Sequence, residues 1–154
     1  MALDHEKLDV YRAAIELIAW VGDRLADSPE VRRLPAAKHL DEASPSIANN
    51  ISEGNGKRSL ADRCHFLDIA RGSALECAAC LGALVARKRL TPAEAAIGKQ
   101  TLERILSMLW KMIGALQPGP SSPSTSTSAS PSTSASTSTS TSTRGRAVSP
   151  IRGR

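Results

Sequence analysis

The run Ser46 to Glu76, SIANNISEGNGKRSLADRCHFLDIARGSALE, constrains the fold more than any other. Ile47 and Ile51 are four apart, on one face of a helix. Asn50 and Glu53 are three apart, on one side of its last turn. Gly54-Asn55-Gly56 then stops that helix, since glycine takes the left-handed conformation that satisfies terminal carbonyls. Ser59 with Asp62 is the signature of a helix start, the hydroxyl meeting a free backbone N–H. The following helix carries Gly72 in its interior. That residue costs about 1 kcal/mol against alanine, which the close approach of another helix would offset. The stretch predicts two helices turned back on each other.

The remaining chain extends this to four helices. Residues 4–26 carry Leu8, Tyr11, Ile15, Ile18 and Leu25 on one helical stripe, widened by Val10, Leu17 and Val21. Trp20 lies at its edge, as core packing or as a subunit-interface anchor. After a short connection at 27–35, a second helix spans Pro35 or Ala36 to Glu53. Pro45 should kink or break it near 41–45, because proline removes a backbone bond and crowds the preceding turn. The third helix, Leu60 to Arg89, reads as the most buried, with its C-terminus closed by Arg87, Lys88 and Arg89. Thr91-Pro92-Ala93-Glu94 forms a capping box with proline at the first helical position. The fourth helix runs on to about Gln117, with Trp110 near its end. Aromatic residues are only 3% of the chain, so the core must be aliphatic and alanine-rich. The expected fold is all-α, an antiparallel up-down four-helix bundle over residues 1–118, with a disordered C-terminal tail over 119–154.

These residues carry a resemblance. Ser46-Ile47, Asn50-Ile51, Glu53-Gly54, Lys57-Arg58-Ser59, Phe66-Leu67, Ile69 to Ser73 and Glu76 resemble the four-helix bundle proteins of the rRNA intervening-sequence family. The accessory variability protein of diversity-generating retroelements is a relative. The resemblance is strong over Ser46 to Leu90, compatible in the flanking helices, and absent from the tail. It implies a ring-like homopentamer and nucleic-acid binding through basic surface. In the retroelement relatives it implies a reverse transcriptase as partner. It implies no catalytic residue. Two departures stand out. Proline falls slightly earlier here than is usual in the family. The middle of the second helix reads Lys38-His39-Leu40-Asp41-Glu42-Ala43, a poor phosphate surface where the family is usually basic.

The net charge of +5 comes mostly from the tail. Residues 1–118 hold 16 Lys+Arg against 15 Asp+Glu; the other four cations are Arg144, Arg146, Arg152 and Arg154. Residues 121–143 are almost only Ser, Thr, Pro and Ala and cannot recover their ordering entropy. They read as a spacer carrying an Arg/Gly-rich end, which is either a weak single-strand binder or a solubilising tail. The polar start MALDHEKLD does not read as a signal peptide. No apolar run approaches the ~18 residues that span a bilayer. The expectation is a cytoplasmic protein with reduced cysteines.

Three constellations bear on chemistry. Cys77-x-x-Cys80 puts two sulfurs on one helix face, but no second ligand pair completes a zinc site, so small core residues are the reading and no cofactor or metal is expected. Glu53 and Glu76 lack the Glu-x-x-His partners of a carboxylate-bridged two-metal bundle. With Asn50, Arg71 and Ser73 they are read as a structural polar network in which Arg71 pairs one glutamate. Lys57, Arg58 and Arg63 are the candidate phosphate contacts in the folded part, with Arg87, Lys88 and Arg89 either extending that patch or capping their helix, and are joined by the tail arginines 144, 146, 152 and 154. The chain reads as non-catalytic. It is either a sequence-tolerant nucleic-acid accessory protein or a homo-oligomeric scaffold for protein partners.

Overall fold

The computed structural model describes residues 3–117. The Ser/Thr/Pro-rich segment and Arg144, Arg146, Arg152 and Arg154 lie outside the described residues. Five α-helices follow a short 3-10 turn at Asp4–Lys7: α1 (Asp9–Ala26), α2 (Pro29–Arg32), α3 (Pro35–Gly56), α4 (Leu60–Ala86) and α5 (Pro92–Leu116). α2 is a single turn, so the architecture is four main helices packed antiparallel, as the sequence predicts. α3 packs along α4 and α4 along α5, while α1 lies against α3 and α5. α1 and α4 are therefore diagonal across the bundle.

The core is aliphatic. Leu17 and Val21 of α1, Leu40, Ile47 and Ile51 of α3, Leu81 and Leu84 of α4, and Leu102, Ile105 and Leu109 of α5 are essentially fully buried. Each such side chain contributes about 1.5–3 kcal/mol relative to exposure. Alanines at 13, 14, 37, 70 and 74 let the backbones approach.

Several boundaries and faces differ from the sequence reading. The first helix begins at Asp9, because Leu8 is extended and the Leu3 N–H donates to the Glu6 carboxylate at 2.7 Å to close a separate turn. The inward line of α1 is Val10, Ala13, Ala14, Leu17 and Val21, which leaves Ile15 44% exposed. α3 continues without a break through Pro45, since one missing backbone bond is outweighed by buried Ala43, Ser44, Ile47 and Ala48 around it. Neither Gly54 nor Gly56 is left-handed. α3 runs through both and leaves by an extended Lys57. Gly54 serves packing instead: a Cβ there would meet Phe66 Cβ at 3.2 Å and the Arg63 carbonyl oxygen at 3.4 Å.

Among the described residues nothing lies within 4 Å of a Cβ placed on Gly72, so the close helix approach expected there does not occur within the chain. The left-handed residue is Lys88, at φ 56°. The Lys88 N–H donates to Val85 O at 2.8 Å and the Arg89 N–H to Leu84 O at 2.9 Å, the paired bonds of a Schellman close that ends α4 at Ala86. The starts of α4 and α5 are as the sequence predicts. Ser59 Oγ accepts from the Asp62 N–H, and Thr91 with Glu94 completes a capping box.

α4 is not the most buried helix. Its apolar residues are not confined to one face, and Leu60, Ile69 and Leu75 are exposed. By length and composition alone it is apolar enough to cross a membrane, contrary to the expectation of no such stretch, and a third of its most apolar window is buried.

Candidate nucleic-acid interface

The turn between α3 and α4 carries the three folded-domain cations singled out from the sequence. Lys57 Nζ lies 3.0 Å from Glu53 Oε1 and 4.6 Å above the Phe66 ring. Its charge is thus partly answered within the chain. Arg58 is exposed, and Arg63 is half-buried where its helix turn backs onto Gly54. Asp62 stands between them at the start of α4, where a carboxylate suits the helix dipole. The patch has two free arginines and little concentrated field.

The five residues read as one polar network are divided among separate contacts. Ser46 Oγ and Ser73 Oγ share a hydrogen bond of 3.0 Å between α3 and α4. Asn50 Nδ2 donates to Ser46 O at 2.8 Å and to Ser46 Oγ at 3.2 Å. Asn50 and Ser73 are therefore joined through Ser46. Glu53 belongs to Lys57. Arg71 pairs with neither glutamate: its guanidinium sits 3.1 Å from Asp68 Oδ1 and 5.7 Å from the Trp110 ring. The reason is helical geometry. Two residues turn a helix by about 200°, so a Ser73 facing α3 points Arg71 away, toward α5. Glu76 is exposed on α4. Ser46 is the member the sequence reading left out, although its i,i+4 relation to Asn50 signals it.

The cysteines are poorly set up for chemistry. Cys77 is fully buried, and burial pushes its thiol up to about 12, with the nearby charges of Cys80 and Glu76 adding to the effect. Burial, then Glu76, raises the Cys80 thiol too. Both stay protonated at neutral pH, the form that neither attacks nor ligates well. Among the described residues, no group of three or more His, Cys, Asp and Glu side chains is placed to hold a metal.

A packed aliphatic interior, short polar contacts between helices and cations confined to the surface define a compact helical-bundle protein. Residues 6–111 match the 23S rRNA-intervening sequence protein family, and the chain belongs to that family. Among solved structures, it is similar to a protein of unknown function from the S23 ribosomal protein family of Bacteroides thetaiotaomicron VPI-5482, determined at 1.70 Å resolution. That likeness has a TM-score of 0.62 at 22% identity and covers 68% of this chain and 97% of the other, and it speaks to the fold alone. No curated protein matches the chain.

Proposed function

We propose that the protein is a non-catalytic, homo-oligomeric accessory protein that binds nucleic acid electrostatically, without base-sequence preference. The observation that carries the reading is the family match over residues 6–111, a family described by an rRNA intervening sequence. Cations that lack ion-pair partners among the described residues are the groups that would meet phosphates. A ring of copies repeats each weak contact, and several simultaneous phosphate contacts give useful, salt-dependent affinity. The pentameric size comes from the resemblance. A reverse transcriptase is the protein partner that the retroelement resemblance adds, and co-purification with one tests it.

The test is a salt series of binding to labelled RNA and DNA by the full chain, with sedimentation in parallel. Binding that weakens steadily with salt and one discrete oligomer are expected. No binding at low salt rejects the nucleic-acid role.

A second reading, a protein-interaction scaffold, is favoured by one feature. The outward side of α4 is apolar and small, with Ile69 38% and Leu75 54% exposed beside Gly72 and Ala79. A discrete oligomer without nucleic-acid affinity supports that alternative.

A further inference from the structure

The antiparallel topology gathers cations from separate stretches of sequence at one end of the bundle. α1 and α4 finish there, α2 lies there, and α3 and α5 begin there. Arg32, Arg33 and Lys38 line a cleft of about 410 Å3 between the end of α1, α2 and the first turns of α3. Leu25 and Ala37 add apolar wall, and Asp41 is the acid that lines it. At the same end, Arg87, Lys88 and Arg89 stand exposed on the close of α4. None of these six cations forms an ion pair among the described residues.

The acids nearby answer them only in part. Asp27 and Glu94 are both engaged by a seventh cation, Arg24, at 2.9 Å and 3.5 Å. Asp23, Glu30, Asp41 and Glu42 are left against six cations that are unpaired among the described residues. The first turn of α3 has no acidic residue, so no carboxylate there offsets the positive end of its helix dipole. At the α3–α4 turn, by contrast, Glu53 holds Lys57 and Asp62 accompanies Arg58 and Arg63.

We propose that this end of the bundle, and not the α3–α4 turn, seats the phosphate backbone of the bound nucleic acid. The inference rests on the nucleic-acid reading above and gives it a location. Arginine forks match phosphate oxygens in planar pairs. Among the described residues no aromatic ring lines the cleft, so none of them stacks a base there, and the contact reads backbone charge. Two cation clusters on one end offer two groups of phosphate contacts, which raises the salt dependence beyond that of one cluster.

The test uses the full chain, so that the tail arginines are constant. Three triple variants are compared with wild type on short labelled RNA and DNA across a salt series: Arg32→Gln/Arg33→Gln/Lys38→Gln, Arg87→Gln/Lys88→Gln/Arg89→Gln and Lys57→Gln/Arg58→Gln/Arg63→Gln. Circular dichroism melts establish that each is folded. The first two should each weaken binding about tenfold or more at low salt and flatten the salt slope by about two. The third should change affinity by no more than about threefold. If the first two bind as wild type while the third loses affinity, the contact lies at the α3–α4 turn and this inference is overturned. If wild type binds anionic vesicles but neither nucleic acid, this inference and the nucleic-acid role both fail.

Discussion

Trp20 of α1 lies against Gly98 of α5: its ring atoms Cζ3 and Cη2 sit 2.6 Å and 2.8 Å from where a Cβ on residue 98 would be. Leu81 of α4 closes the same point at 3.0 Å. A glycine and a tryptophan thereby lock three helices together. Trp20 is partly buried and packs against the core of its own chain. Gly98→Ala should destabilise the fold by about 1–3 kcal/mol through overpacking, despite the better helix propensity of alanine. A lowered urea midpoint checks this, and an unchanged midpoint would contradict the contact.

Gly72 supplies the matching control. Nothing lies within 4 Å of a built Cβ there, and the residue is exposed mid-helix. Gly72→Ala should stabilise by up to about 1 kcal/mol, the propensity difference alone. A loss of stability would mean that a second copy packs tightly on that face of α4 in solution.

Much of this was legible in the chain, but unevenly. The starts of α4 and α5 were plain, because Ser59–Asp62 and Thr91–Glu94 act through bonds three residues apart. The glycines were not. The same residue type serves packing at Gly54 and Gly98, and nothing visible at Gly72. Only the neighbouring helix distinguishes them. On α1 the apolar residues Val10, Leu17, Val21 and Leu25 are legible as inward, and Ile15 is the exception, because Ala13 and Ala14 take the places that let the helices approach. Arg71 was assigned to a glutamate by type, whereas its direction on α4 selects Asp68 and Trp110. The cation cluster was hidden for a topological reason. Arg32 and Arg33 sit in what reads as a connection, and Arg87 to Arg89 in what reads as a dipole cap or an extension of the α3–α4 patch, from which the length of α4 separates them.

Lys88 occupies a left-handed position where glycine is the usual choice. Lys88→Gly should raise stability by roughly 1 kcal/mol by removing the Cβ penalty, offset in part by the greater freedom of an unfolded glycine. It should also weaken nucleic-acid binding. A gain in melting temperature together with a loss of affinity is the expected pair. Lower stability would contradict the Schellman close.

Glu94 links acid sensitivity to the capping box. The Thr91 backbone N–H, then its hydroxyl, hold the carboxyl below its ordinary value of 4.5, with Arg24 assisting. A lowered folded-state value means stability that is fully present above 4.5 and lost as pH falls through the lowered value. Glu94→Gln keeps a capping amide but no charge. The melting temperature of wild type should exceed that of the variant at neutral pH, with the gap closing only below 4.5. A gap that does not change with pH would contradict the charge-assisted cap.

The most direct measurement of where nucleic acid sits is ultraviolet cross-linking of RNA to the full chain, followed by mass spectrometry of the peptides. Cross-links in the folded domain are expected within residues 29–41 and 85–94. Cross-links confined to residues 57–63, or none anywhere in residues 3–117, would contradict the cationic end of the bundle as the binding surface.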